Sequence, residues 1–469
     1  MTILRTRKIF RKNLLTRKFF RAIIINTNTQ VLSCPIILQE SSFVKSFLQI
    51  CRNWGEKMSR TILHCDMNNF YASVECMLNM KLKDKPVAVG GDVENRHGII
   101  LAKNYHAKKY GIQTGEALWQ AQQKCRDLII VPPHYEEYLK YSKLAREIYS
   151  QYTDLIEPYG MDECWLDVTG SRNISGSGEE IANKLRKQMY FELGLTISVG
   201  VSFNKIFAKL GSDMKKPDAT TIIPEDTFRE KIWHLPASDM LGVGRATEKV
   251  LNSYCINTIG DLAHAPRELL KRRLGKCGEM IIDYANGLDH SRVAPFDYEP
   301  PIKSVGHGIT TKEDLENPAE VWNVMLSLVQ DIGHKLRVYN KKAGGVAICI
   351  RNNQLETKQW QCQLPVKTYS SAVIAKAAFD LFARSYVWNN DIRSVTVRAI
   401  NLTSQSEAEQ LTFFSNATEV QKRERLEDII ENIRDRFGKN AILPATLCRN
   451  IKMPTDRDVE LHMPTGMVM

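Results

Sequence analysis

A chain of 469 residues is long enough for three or four domains, and 43% hydrophobic with 25% charged residues is the composition of an ordinary soluble protein. No apolar run approaches the ~18 residues of a membrane span, and eleven scattered cysteines without a CxxC pair argue against a zinc site and for a reducing, cytoplasmic setting. The net charge of +11 is not a nucleic-acid signature, because eleven Lys/Arg and only two acids, Glu40 and Glu56, fall in residues 1–57 and the remainder is nearly neutral; any such binding must use local basic faces.

The leader 1–57 is basic and irregular. Gly55-Glu56-Lys57-Met58 can be encoded as GGA-GAA-AAA-ATG, a bacterial ribosome-binding sequence before a start codon. The reading is therefore translated leader, with the native protein beginning near Met58; a transit peptide and a basic nucleic-acid arm are the alternatives.

After the leader, 60–66 is apolar and strand-like, and Asn68-Asn-Phe-Tyr71 leads into a helix. Short strands follow at 85–91 and 98–102, then a helix from Tyr105 closed by Gly111. Tyr138, Tyr141, Leu144, Ala145 and Ile148 have helical spacing. An acidic hairpin comes next, then a helix at 179–193, a strand at 196–201 and a helix from Asn204. Residues 225–296 are mostly helical and contain Gly242-Val-Gly244, a turn whose backbone N–H groups can bind a DNA phosphate. An extended linker (298–302) leads to 303–404, where the order β-α-β-β-α-β describes a ferredoxin-like unit. A charged helix at about 417–436 and an irregular tail end the chain.

Two acidic patches stand about a hundred residues apart. They are Thr61-Ile-Leu-His-Cys-Asp66-Met-Asn-Asn-Phe-Tyr71 and Gly160-Met-Asp162-Glu163-Cys-Trp-Leu-Asp167, each beside a strand-like run. Three acids gathered on neighbouring strands can hold two divalent metals and carry out phosphoryl transfer.

These patches resemble the two metal motifs of Y-family DNA polymerases. Asn104-Tyr-His-Ala-Lys-Lys-Tyr-Gly111 and Val199-Gly-Val-Ser-Phe-Asn-Lys-Ile-Phe-Ala-Lys209 resemble two further motifs of that family, in the same order. The chain looks like the DinB-type (polymerase IV) branch over about 58–437. The resemblance implies an α+β right-hand polymerase: a palm (58–70 and 137–224), small fingers (71–136), a helical thumb (225–297), a little finger (303–404) and a C-terminal tail (405–469). It implies error-prone, template-directed synthesis across lesions, on primer-template DNA with dNTPs, by a cytoplasmic monomer without a membrane anchor.

The resemblance also assigns roles. Asp66, Asp162 and Glu163, with the Met67 carbonyl, hold two Mg²⁺, with Mn²⁺ as a substitute; hard oxygen donors suit both. Asp167 is a nearby structural carboxylate. Tyr71 is the steric gate against a ribose 2′-hydroxyl. Tyr105, Lys108 and Lys209 grip the triphosphate. Gly242, Gly244, Lys341 and Lys342 face the DNA backbone, with Lys303, Lys335, Arg337 and Arg351 in the same grip. Gln410, Leu411, Phe413 and Phe414 resemble a sliding-clamp motif. The chain departs from the family pattern at Lys108, often arginine, at Ala102, often a hydroxyl residue, at Leu101, often smaller, at Gly160, often serine, and at Asn68, often aspartate. Two other classes fit the acids less well: an inactive DNA- or clamp-binding scaffold, and a palm-type nucleotidyl cyclase, which would need no primer.

Overall fold

The first acidic patch opens on a strand, β1 (Ile62–Met67), buried along its whole length. The computed structural model describes residues 59–91, 98–407, 417–448 and 451–453. The leader and the segment holding Gln410, Leu411, Phe413 and Phe414 lie outside the described residues. Alternation along β1 sends Leu63, Cys65 and Met67 into one core and turns Ile62, His64 and Asp66 to the other face.

A helix, Phe70–Leu78, follows β1. β2 (Val87–Gly90), β3 (Ile100–Lys103) and β4 (Ile129–Val131) form a small sheet in the order β3-β2-β4. Its own core is made by Ala88, Ile100, Ala107, Ile112 and Leu118. The chain returns through the helix Tyr135–Ser150 to β5 (Ile156–Pro158) and β6 (Glu163–Asp167). The helix Gly178–Leu193 starts on a capping box, Ser177 with Glu180, and ends at Gly194 in the left-handed region, φ 68°. β7 (Ile197–Ser202), the helix Lys205–Met214 and β8 (Thr220–Ile223) complete this part.

These strands make one five-stranded sheet, β5-β6-β1-β7-β8, with β7 and β8 parallel and the other pairs antiparallel. Leu63, Tyr138, Ile181, Leu185 and Val199 belong to the core on one face. The helix Lys205–Met214 lies against the other. It comes so close that a Cβ on Gly200 would stand 1.8 Å from the Ala208 carbonyl oxygen, so only glycine allows this approach. Strand β8 has no counterpart in the sequence reading.

Residues 228–285 hold five α-helices, among them Arg245–Asn252, Arg267–Leu274 and Lys276–Ala285. Gly242 has φ 93°, the left-handed conformation its turn requires, and Gly244 immediately precedes Arg245–Asn252. The last sheet is built from β9 (Val305–Leu315), β10 (Lys341–Asn352), β11 (Thr357–Thr368) and β12 (Ile392–Ser404) in the order β11-β10-β12-β9. The helices Pro318–Val338 and Ser371–Ser385 pack on it around Val324, Leu328, Ile332, Ile374 and Phe382. This is the β-α-β-β-α-β order read from the sequence.

The helix Ala417–Phe437 packs back on this unit with its acids. Glu427 accepts hydrogen bonds from the Ser371 and Ala372 N–H groups at 2.7 and 3.1 Å and pairs with Arg337 at 2.8 Å. Glu424 takes Thr368 Oγ1 at 2.7 Å and stands 3.5 Å from Lys342. Leu426, Ile429 and Phe437 stay exposed. Among the described residues no helix is long and apolar enough to cross a membrane.

Candidate active site

Two neighbouring antiparallel strands place the acids. Asp66 on β1 is the direct cross-strand partner of Glu163 on β6, and Met67 N–H donates to the Asp162 carbonyl at 3.0 Å. Asp66 and Glu163 share the face covered by the helix Lys205–Met214, because residues directly opposite in an antiparallel pair project to the same side. This explains their partners: that helix and the turn after it carry the lysines that reach them.

Lys216 Nζ stands 2.8 Å from Asp66 Oδ2 and 3.0 Å from Asp213 Oδ1. Lys209 Nζ stands 2.6 Å from Glu163 Oε2 and 3.7 Å from Asp213 Oδ2. His64, fully buried, places Nδ1 2.8 Å from Ser212 Oγ and Nε2 3.3 Å from Glu163 Oε2. Burial lowers its proton affinity, so the ring is neutral near pH 7.

The acids divide by environment. Burial pushes Asp66 up to about 7; Lys216 opposes the shift, while Glu163 and Asp162 add to it. Burial, then repulsion from Glu163, pushes Asp162 up to about 6. Burial also works against the ionised form of Glu163, but His64 and the Lys209 ammonium outweigh it and hold that acid at about 2.

An open cleft of about 320 Å³ lies over these groups, lined by Asp66, Tyr71, Leu101, Lys103, Asp162 and Lys216 among others. Tyr71 lies one face on Tyr138, with ring centroids 4.3 Å apart and planes 11° from parallel, and its hydroxyl donates to Met161 Sδ at 3.4 Å. Tyr138 is anchored in turn by the buried Glu75, which also takes His134 Nδ1 at 2.9 Å. Tyr105 begins a short helix capped by Asn104, whose Oδ1 accepts from Ala107 N–H at 2.9 Å. Lys108 Nζ lies 5.7 Å from the Tyr105 ring centroid.

A divalent cation fits this donor set. Desolvation raises the proton affinity of two of the three carboxyls, Asp66 and Asp162, which is the condition a bound cation relieves, and all donors are hard oxygens. Among the described residues, however, no three His, Cys, Asp or Glu side chains are drawn together tightly enough to hold an ion as they stand. Lys209 is paired with Glu163 and Lys216 with Asp66.

The structure therefore gathers Asp66, Met67, Tyr71, Asp162, Glu163 and Lys209 in one place. Tyr105 and Lys108 stand on the small-sheet side. Gly242 and Gly244 lie in the helical region, and Lys341 and Lys342 on β10, with Lys342 already engaged by Glu424. Asp167 caps its own turn, accepting from Thr169 N–H at 3.0 Å. Asn68 spends its amide on structure, donating to Ser198 Oγ and accepting from Asp218 N–H, both at 2.9 Å. Sequence reasoning missed Lys216, His64 and Lys103. Lys216 lies in the turn just beyond the helix Lys205–Met214, where helical spacing gives no signal.

Comparison with known proteins gives the context. Residues 65–213 match the impB/mucB/samB family and 302–413 its C-terminal domain. The chain is 48% identical over 381 residues to DNA polymerase IV of Acetivibrio thermocellus, covering 81% of this chain and 96% of that protein. It is 34% identical to DNA polymerase IV of Clostridium kluyveri (84% and 100% covered) and 35% identical to DNA polymerase IV 1 of Bacillus subtilis (82% and 92%). A Y-family DNA polymerase chimera of known structure superposes with a TM-score of 0.65 at 22% identity, covering 73% of this chain and 99% of that one.

Proposed function

Since this chain belongs to the DNA polymerase IV group of the Y family, and is thus a DNA-directed translesion DNA polymerase that binds primer-template DNA and dNTPs, we propose that Asp66, Asp162 and Glu163 are its catalytic carboxylates. The observation that carries this reading is the cross-strand pairing of Asp66 with Glu163 on the floor of an open cleft, with Asp162 tied to Met67 beside them. The five-stranded sheet is the palm, the β2–β4 sheet the fingers, the 228–285 helices the thumb and the β9–β12 sheet the little finger.

Y-family polymerases are two-metal enzymes in general. In this chain Asp66, Asp162, Glu163 and the Met67 carbonyl would hold Mg²⁺, with Mn²⁺ able to substitute. Bound there, such ions lower the pKa of the primer 3′-hydroxyl and neutralise charge on the triphosphate. The protein's own groups do the rest. Lys209 and Lys216 exchange their carboxylate partners for phosphate oxygens as the substrate enters. Tyr105 and Lys108 add a phenol and a charge from the fingers side. The face of Tyr71, backed by Tyr138, meets the sugar and excludes a 2′-hydroxyl by clash. Leu101 narrows the roof.

Gly242 and Gly244 present backbone N–H groups to a DNA phosphate. Lys341 faces the duplex, whereas Lys342 and Arg337 contribute less because Glu424, Glu427 and Asp428 already offset them. Gln410, Leu411, Phe413 and Phe414 dock on a sliding clamp. The enzyme works as a cytoplasmic monomer.

The test is primer extension by residues 58–469 and by its Asp162→Ala variant, on a primed template with Mg²⁺ and all four dNTPs. Template-directed extension by the first and not the second is expected. Equal extension by both removes the assignment.

A further inference from the structure

Two lysines line the cleft, and they are not equivalent. Lys216 is engaged by Asp66 and Asp213. Lys103, the last residue of β3, donates to a neutral hydroxyl, Thr114 Oγ1, at 3.1 Å. Among the described residues it has no carboxylate at ion-pair distance. Glu116, the acid whose charge reaches it, is already held by Lys124 at 2.5 Å. The ammonium is half-buried. Desolvation, then repulsion from Lys108, pulls its proton affinity below the ordinary lysine value, and Glu116 only partly opposes this. A partly desolvated cation beside a like charge is unfavourable until an anion joins them. Lys103 and Lys216 thus bring two cations to one cleft, with the charge of Lys108 felt at the first of them.

We propose that Lys103 contacts the triphosphate of the incoming nucleotide. This rests on reading the cleft as the nucleotide site. The neighbouring residue Ala102, which also lines the cleft, has no hydroxyl to offer a phosphate, and Lys108 brings charge without a bidentate fork. Lys103 Nζ keeps two N–H donors beyond the one given to Thr114. The triphosphate is the ligand group with enough negative charge to satisfy both cations of the cleft, whereas a nucleobase edge would satisfy one at most.

The experiment is steady-state insertion of each of the four dNTPs opposite its complement. It uses the full chain, Lys103→Met, Lys103→Arg and Asp162→Ala, with melting temperatures measured alongside. Methionine keeps the aliphatic stem, so the strand stays packed while the charge is lost. Lys103→Met should raise KM about tenfold, by the same factor for all four nucleotides and with kcat little changed, as expected for one charge-assisted bond. Lys103→Arg keeps the charge and should stay within about threefold of the parent. A KM unchanged in Lys103→Met, a factor that depends on the base, or an equal loss in Lys103→Arg would overturn the proposal. An active Asp162→Ala would instead remove the reading of the cleft itself, and the two failures are thereby distinct.

Discussion

The Lys216 ammonium sits 2.8 Å from Asp66 Oδ2, yet Asp66 still takes up its proton at about 7. The ion pair does not repay the burial of the carboxylate. A carboxyl raised in the fold binds its proton where the unfolded chain has already released it, so stability falls as pH rises from about 4 to about 7. Glu163, held at about 2, acts the other way: its contribution is present above the ordinary glutamate range and is lost as pH falls towards 2. Asp66→Asn should therefore raise the melting temperature above pH 7 in EDTA, by about 2–4 °C, while Lys216 retains Asp213. The gain should vanish near pH 4. Adding Mg²⁺ should stabilise the parent more than the variant. Thermal melts across pH, with and without Mg²⁺, check all three expectations.

Tyr71 is fixed from below by Tyr138 and at its hydroxyl by Met161. Tyr71→Ala should open the space beneath the sugar and raise ribonucleotide relative to deoxynucleotide insertion by about tenfold or more. Competing kcat/KM values for the two sugars measure this, and an unchanged ratio counts against the gate.

Glu427 caps the helix Ser371–Ser385 and pairs with Arg337, and both side chains are mostly buried. Glu427→Ala removes the acceptor of the Ser371 and Ala372 N–H groups, leaves Ser370 as the N-cap, and leaves the Arg337 guanidinium with Asp428 at 3.2 Å as its remaining carboxylate. We expect a loss of about 2–3 kcal/mol from the little finger, read as a lower urea midpoint. A midpoint unchanged within error would mean that the C-terminal helix adds nothing to the stability of the domain.

Removing residues 410–414 should abolish stimulation of synthesis by a sliding clamp and leave clamp-independent extension at the parental rate. Loss of both activities together would make the segment structural.

Much of this was legible in the chain. Asp66, Asp162 and Glu163 are visible because each stands beside a strand-like run, and the β-α-β-β-α-β unit because its helices and strands keep their periods. What was not legible depends on contacts distant in sequence. A separation of 150 positions between Asp66 and Lys216 hides their pairing, and the order β5-β6-β1-β7-β8 is not the order of the chain. Strand β8 is four residues long and passes for a loop. The helix Ala417–Phe437 divides its apolar residues: Val420, Ile430 and Ile433 are half-buried, Leu426 and Ile429 are exposed, and Glu424 and Glu427 make the polar contacts of the docked side, so its apolar pattern alone does not mark the docking face.

The pairing of β1 with β6 sets Cys65 opposite Cys164 one step from Asp66 opposite Glu163. The two rungs face opposite sides of the sheet: thiols toward one core, carboxylates toward the cleft. The same short strands thus encode two donor sets, one soft and one hard, and register alone decides which is offered to solvent. A slip of β1 by one residue would turn its thiol outward and its acid inward, so the carboxylate floor of the cleft exists only in this alignment of β1 with β6.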